Sequence, residues 1–457
     1  MNSQSIAPMV VFVATILLVF KHPIVRIPFT RRHIHIDYGL APLLGVLFLL
    51  LIGSIDAGTI SRGIIGSNMV TPYAIIILVI TLAYICVSLD YTGLFEYISL
   101  HFARAAKGSG KRLFLYFFLL SSFLTLVTDN DIVILTMTPI IFYFSVRAKV
   151  NPLPYLVAQF FAANILSMTL YIGNPTNIIA ADAQGITFVE FSKWMLLPSL
   201  LAAVACLGLL FLVFRKMLPD RIEMPDVNPG LAIKNRTGAL FGTALFIVTI
   251  VLMSLPTSLL GVPLWVVTSV SAGIMVLYDI VHHHYVAPKR KKGHHSSIFV
   301  IGSRMPWEVI PFVMGLFIII ESLVSTGWTD FFASHLSIIS GSIVVAVLGV
   351  IFLSSIVANV MNNQPMTIFF VRIFQSSSFN VSATVRLGST LALIAGSNFG
   401  ANFTLVGALA GIMWVNILSE KGVQISFSKF SKYGFLIMPV VVLVAGLTLV
   451  LELMFWT

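Results

Sequence analysis

The amino-acid sequence predicts an all-α polytopic membrane protein made of two inverted repeats, each contributing a re-entrant helical hairpin and a discontinuous transmembrane helix. Three observations carry the prediction. Of 457 residues, 58% are hydrophobic and only 10% are charged, a balance that a water-soluble fold of this length does not carry. Two long apolar stretches are interrupted at mid-length by polar tips, and two later runs are broken by glycine and polar residues. These landmarks recur in the same order, with Gly93 and Gly327 offset by 234.

A crossing helix needs about 20 apolar residues. Runs of that kind centre on 5–20, 39–55, 71–88, 196–214, 238–255, 262–285, 307–324 and 434–455. The first lacks both a preceding basic region and a small-residue cleavage site, so a retained helix is expected rather than a signal peptide. Leu113 to Val146 spans 34 residues, too many for one crossing and too few for two with a turn. Thr128-Asp129-Asn130-Asp131 interrupts its middle, which predicts a hairpin. A second stretch, about 340–371, is interrupted by Asn362-Asn363-Gln364-Pro365. Each hairpin is followed by a broken run, one interrupted by Gly173-Asn174-Pro175-Thr176-Asn177 and the other by Gly396-Ser397-Asn398-Phe399-Gly400-Ala401-Asn402. Backbone freed at such breaks survives at membrane depth only where protein or a watery cavity satisfies it.

Charge placement gives the orientation, because Lys and Arg collect in cytoplasmic loops. With both hairpins re-entrant, 23 of the 27 Lys and Arg residues fall inside, leaving Arg62, Lys193, Arg372 and Arg386 outside. With both hairpins as single crossings the division is 12 inside and 15 outside. The expectation is therefore a cytoplasmic (inner) membrane protein with both termini outside. The segment 286–306, with Lys289, Arg290, Lys291 and Lys292, is then a topogenic loop, and the net charge of +10 needs no nucleic-acid partner. His282–His284 and His294–His295 border that loop without Cys or carboxylate companions, so a solvated tract is expected and no metal. Cys86 and Cys206 lie in apolar runs and predict neither a disulfide nor a metal site.

The repeat is read from Tyr91-Thr92-Gly93-Leu94-Phe95 against Ser325-Thr326-Gly327-Trp328-Thr329, Asn130 against Asn363, and Lys193 against Lys432. The chain divides into N-terminal spans (1–70), a first repeat (71–216), linking spans with the basic loop (217–306) and a second repeat (307–457). Span 71–88 runs inward and 307–324 outward, so the halves are inverted, the architecture of alternating-access transporters with a site near the midplane.

The expected substrate or ion site comprises the tip residues Thr128, Asp129, Asn130 and Asp131, the first-break residues Gly173, Asn174, Pro175, Thr176 and Asn177, and Asn362, Asn363, Gln364, Ser397, Asn398 and Asn402 of the second half. An acid at mid-membrane costs about 3 kcal/mol even on conservative scales, which makes Asp129 and Asp131 the proton-coupling candidates. Helix capping is the alternative role for Asn130 and Asp131. Asn174-Pro175 has the grammar of an N-cap and first helical residue, and the restarted helix offers free N–H groups to an anion or oxyacid. Interhelical packing is the alternative role for the second-half amides. Glu321, near the outer end of its span, is read as snorkelling to the interface.

The tips and breaks resemble those of the arsenite permease family, within the ion transporter superfamily that also holds NhaD-type sodium/proton antiporters and dicarboxylate carriers. The resemblance rests on Leu89-Asp90-Tyr91-Thr92-Gly93-Leu94-Phe95-Glu96, on Leu135-Thr136-Met137-Thr138-Pro139-Ile140 after the first tip, on Met361-Asn362-Asn363-Gln364-Pro365, and on Gly407-Ala408-Leu409-Ala410 leading to Trp414. The second break departs from it: similar permeases carry a Cys-Asp pair and a Lys where this chain has Ser397-Asn398 and Asn402. The resemblance implies proton-coupled export of a small inorganic oxyacid or anion such as arsenite. Sodium/proton antiport, sodium-coupled carboxylate uptake and a gated channel are the other readings. The chain shows no phosphate-binding loop, Ser-His pair, paired catalytic acids or His-Glu-x-x-His, so neither enzyme activity nor a cofactor is expected. Energy then comes from a proton or sodium gradient or from a separate ATPase subunit, and a homodimer stays open.

Overall fold

The computed structural model describes residues 3–21, 23–26, 33–66, 71–223, 228–286, 297–339 and 341–456. The basic cluster Lys289 to Lys292 and His294–His295 lie outside them. The chain opens with α1 (Ser3–Lys21) and an antiparallel ribbon of β1 (Ile24–Arg26) and β2 (His33–His35), which the sequence reading did not anticipate. Next come α2 (Leu40–Leu51), α3 (Ala57–Ile65), α4 (Pro72–Tyr91) and α5 (Leu94–Ala105). The expected span 39–55 is thus cut short at Leu51, because Gly53 turns left-handed (φ +67°) and the Asp56 carboxylate caps α3 through the Thr59 N–H.

The first hairpin is α6 (Gly110–Val127) and α7 (Asn130–Arg147). Thr128 leaves helical geometry, and Asp129 becomes the N-cap of α7, accepting the Asp131 N–H at 2.8 Å. After it run α8 (Leu153–Leu166), α9 (Pro175–Asp182), α10 (Phe188–Phe214), α11 (Arg236–Ser254), α12 (Thr257–Leu260) and α13 (Leu264–Val281). The second half contains α14 (Ser297–Ser303), α15 (Val309–Ser325) and α16 (Trp328–Ile339), and then the second hairpin, α17 (Ile343–Met361) and α18 (Asn363–Gln375). It ends with α19 (Ala383–Gly400), α20 (Leu409–Glu420) and α21 (Phe427–Trp456). Among the described residues seven helices are long and apolar enough to cross a membrane, or eight if α15 and α16, bent by 77°, count as one.

Each of the two stretches forms a pair of helices whose outer ends lie together. Beside the start of α6, Gly110 N–H donates to the Pro219 carbonyl and Lys111 pairs with Asp220 at 2.6 Å, while beyond the end of α7 Lys149 pairs with Glu223 at 2.8 Å. One loop therefore holds both ends. The Lys111 hydrogen bond also keeps the exposed Asp220 carboxyl below its ordinary value. In the second half, Asp330 on α16 accepts from Ser376 Oγ at 2.6 Å, and Ser337 Oγ donates to the Asn380 carbonyl at 3.1 Å, so the residues after α18 return to the helix before α17. Single cysteines at Lys111 and at Lys149 are accordingly expected to react with an impermeant thiol reagent from the same face of the membrane. Reaction from opposite faces would show that α6 and α7 together make a single crossing.

The breaks differ from expectation in extent. The first gap runs 167–174, and Pro175, Thr176 and Asn177 already belong to α9. In the second half Gly396, Ser397 and Asn398 are still helical, and the gap is 401–408. Ser397 Oγ and Asn398 Nδ2 both bond back to the Ile394 carbonyl, at 2.9 and 2.8 Å, so these polar side chains are satisfied without unwinding the helix.

The two hairpins and gaps make matching contacts. Asn130 N–H donates to the Gly173 carbonyl and Asn363 N–H to the Gly407 carbonyl, each at 3.1 Å. Asn362 accepts the Gln364 N–H at the second tip as Asp129 accepts that of Asp131 at the first. Gly93 and Gly327 both end a span with left-handed backbone, φ +83° and +79°. Gly173 and Gly407 press on the carbonyls of Ser167 and Gly400, so a Cβ at either would displace the gap backbone that anchors the tip. Gly173→Ala is expected to cost about 1–3 kcal/mol, read as a lowered unfolding temperature of the purified protein.

Helix packing gathers elements from both halves into two bodies. A frame comprises α1 to α4, α11, α13 and α15, and a core comprises α6 to α10 and α17 to α21. The arms α5 and α16, which follow Gly93 and Gly327, pack on α6 and α7 and on α18 respectively, and join the bodies.

Candidate functional site

A cavity of about 800 Å³ opens between frame and core. Thr128, Asp129 and Asp131 of the first tip line it with Ile172 of the first gap and Pro175 at the start of α9, as do Cys86 of α4 and Met413 of α20. The other charged lining residues, among them Asp90, Arg147, Lys234, Arg304, Glu420 and Lys421, sit at helix ends or in loops. All of these lie in the segments that the charge distribution assigns to the cytoplasm. Asp129 and Asp131 are half-buried, and neither has an ion-pair partner among the described residues.

Behind the tip, buried amides and hydroxyls form a continuous plug between the two broken helices. Asn130 Nδ2 donates to Asn164 Oδ1 at 2.9 Å, and Asn164 Nδ2 donates to Asn402 Oδ1 at 3.0 Å. Asn398 Oδ1 accepts from Ser167 Oγ at 2.5 Å and from Asn174 Nδ2 at 3.1 Å, while its Nδ2 donates to Asn177 Oδ1 at 2.8 Å. Ser397 Oγ donates to Thr176 Oγ1 at 3.0 Å, and the Thr176 N–H and hydroxyl both donate to Asn174 Oδ1. Asn177, Asn398 and Asn402 have no measurable exposure. In hydrocarbon an unpaired amide costs several kcal/mol, so the partners must be supplied within the fold, and here the two halves supply each other's.

The expected site residues therefore separate into groups. Thr128, Asp129, Asp131 and Pro175 face the cavity. Asn130, Gly173, Asn174, Thr176, Asn177, Ser397, Asn398 and Asn402 lie behind it in the plug and its anchors. Asn362, Asn363 and Gln364 are buried and are not among the residues that line this cavity. The second tip is enclosed by packing; Asn362 Nδ2 and Gln364 Oε1 have no hydrogen-bond partner among the described residues.

Sequence reasoning missed two features. Asn164 links the first tip to the second gap, and the repeat offset could have found it: Asn164 and Asn398 are 234 apart and each bonds back to a carbonyl four residues earlier. Glu321 does not snorkel. It is 3% exposed and accepts from Arg62 at 3.1 Å and from Arg372 at 3.0 Å.

Comparison with known proteins agrees with this architecture. The chain is 27% identical over 451 residues to the "Arsenical pump membrane protein" of Escherichia coli strain K12, covering 97% of this chain and 98% of that one. It is 28% identical over 389 residues to the "46 kDa membrane protein" of Mycobacterium leprae, covering 82% and 86%. The crystal structure of the Alcanivorax borkumensis YdaH transporter shares the fold, with a TM-score of 0.54 at 14% identity over 99% of both chains. The family profile described as "Citrate transporter" matches residues 15–385, and this integral membrane protein therefore belongs to the citrate transporter family.

Proposed function

We propose that the chain is a secondary active transporter of the cytoplasmic membrane, exporting a small inorganic oxyacid such as arsenite or antimonite against inward proton movement through Asp129 or Asp131. The observation that carries this reading is the carboxylate pair on the inner wall of a cavity whose backing is neutral amide. Two neighbouring carboxylates without a basic partner gain by taking up a proton or a cation, whereas the amide plug offers hydrogen bonds to a solute whose charge need not change. The oxyacid is suggested by relatives named for an arsenical pump. Segments 71–216 and 307–457 are then the two inverted repeats, hairpins re-entrant and both termini outside, and the cavity is open to the cytoplasm.

Sodium/proton antiport is the second reading. The same acids with Thr128 present hard oxygen ligands suited to a small cation. A carboxylate substrate, suggested by the family's description, would meet two like charges beside the first tip. Purified protein in liposomes, scanned with arsenite, antimonite, sodium, lithium and dicarboxylates against an imposed pH gradient, separates the three. Uphill movement of the metalloids alone supports the proposal, and sodium-driven proton release with no metalloid movement replaces it with antiport.

A further inference from the structure

The junction of frame and core contains two constructions of the same plan. On the frame helix α15, Glu321 Oε1 accepts from Arg62 Nε of α3 at 3.1 Å, and its Oε2 accepts from Arg372 Nη2 of α18, in the core, at 3.0 Å. On the frame helix α4, Asp90 Oδ2 accepts from Arg304 Nη1 at 3.2 Å, and its Oδ1 accepts from Thr136 Oγ1 of α7, in the core, at 3.2 Å. The helices α4 and α15 correspond in the repeat, as do α7 and α18. Each acid thus has an arginine, Arg62 from α3 for Glu321 and Arg304 from the residues after α14 for Asp90, and one contact from the second helix of a hairpin.

The two differ in what crosses between the bodies. At Asp90 it is a neutral hydroxyl beside the cavity, where the Arg304 and Asp90 side chains are 51% and 19% exposed. At Glu321 it is an ion pair whose side chains are both 4% exposed, outside the residues that line the cavity. Arg372 Nη1 also donates to Gln375 Oε1, and Gln375 Nε2 donates to the Ala183 carbonyl just beyond α9, so the pair is tied to the first half of the core as well.

We infer that Glu321 and Arg372 form the latch holding the core in its cavity-open position, with Arg62 as the resident counter-charge that keeps Glu321 neutralised when Arg372 departs. Separating a buried ion pair is costly mainly because it strands a charge. A second arginine on the frame, at 45% exposure, removes that cost for the acid and makes the pair separable as well as strong. Of the two contacts that must break when the core moves, the dry ionic one dominates the balance between states, and the hydroxyl contact at Asp90 adds little.

This inference rests on the reading that the chain alternates access, and its test needs no substrate. The reporter is a thiol at position 413 (Met413→Cys, with Cys86→Ser and Cys206→Ser), labelled by a charged thiol reagent in detergent-solubilised protein. Arg372→Gln leaves Glu321 paired with Arg62, and Glu321→Gln with Arg372→Gln leaves no buried charge, since the remaining Arg62 side chain is 45% exposed. Both are expected to slow labelling about fivefold as the population shifts away from the cavity-open state. Rates unchanged or raised in both would overturn the latch, and so would failure of both to fold, which would make the pair a structural strut. Absence of transport in the liposome scan would leave this labelling result standing, so the two failures are distinguishable.

Discussion

Asp129→Asn or Asp131→Asn is expected to lower pH-driven transport by about 100-fold, the low end of what losing an obligatory proton-transfer group costs, while substrate binding and fold survive. Asn is isosteric with Asp and still caps a helix, so the turn at the head of α7, where Asp129 accepts the Asp131 N–H, keeps its hydrogen bond. What is lost is the carboxylate facing the cavity. Proton-independent counterflow, in which labelled and unlabelled substrate exchange without net proton movement, should continue in the affected variant. If both variants retain full pH-driven transport, the acids are caps and the proton travels elsewhere.

Asn398→Ala is expected to destabilise the protein by about 2–4 kcal/mol. The amide accepts from Ser167 and Asn174 and donates to Asn177 and the Ile394 carbonyl. Removing it leaves buried donors and an acceptor unpaired at about 1–3 kcal/mol each, moderated because hydrogen bonds inside a bilayer measure nearer 1 kcal/mol. Asn398→Asp keeps the shape but replaces the donor to Asn177 with an acceptor and places a charge in the plug, so it should be worse than alanine. Reversible unfolding in mixed micelles measures both. An Asn398→Ala loss below about 0.5 kcal/mol would mean that the plug is not what joins the halves.

The hairpin tips were legible in the sequence because helix punctuation is local. Thr128 to Asn130 and Asn362 interrupt apolar runs, and the structure starts α7 at Asn130 and α18 at Asn363. The second break was misplaced because the remaining hydrogen bonds of Ser397 and Asn398, beyond those to the Ile394 carbonyl, are not local: their partners Thr176, Asn174 and Asn177 lie over 220 residues away. A polar cluster in an apolar run reads as a break until those partners are known. Glu321 was misread for the same reason. Arg372 was counted as a loop charge in the topology, and only the return of α18 against α15 brings it to the acid. The site residues likewise did not divide into cavity and plug until the gap geometry set which face of each tip is open.

The coupling of proton to substrate is tested most directly by a pH-sensitive dye trapped in liposomes containing the purified protein. With no pH gradient imposed, an arsenite gradient alone should drive proton movement in the opposite direction, and Asp129→Asn or Asp131→Asn should abolish that signal. Arsenite flux with no proton movement in the parent protein, or proton movement that follows a sodium gradient and ignores arsenite, would contradict the exchange proposed for Asp129 and Asp131.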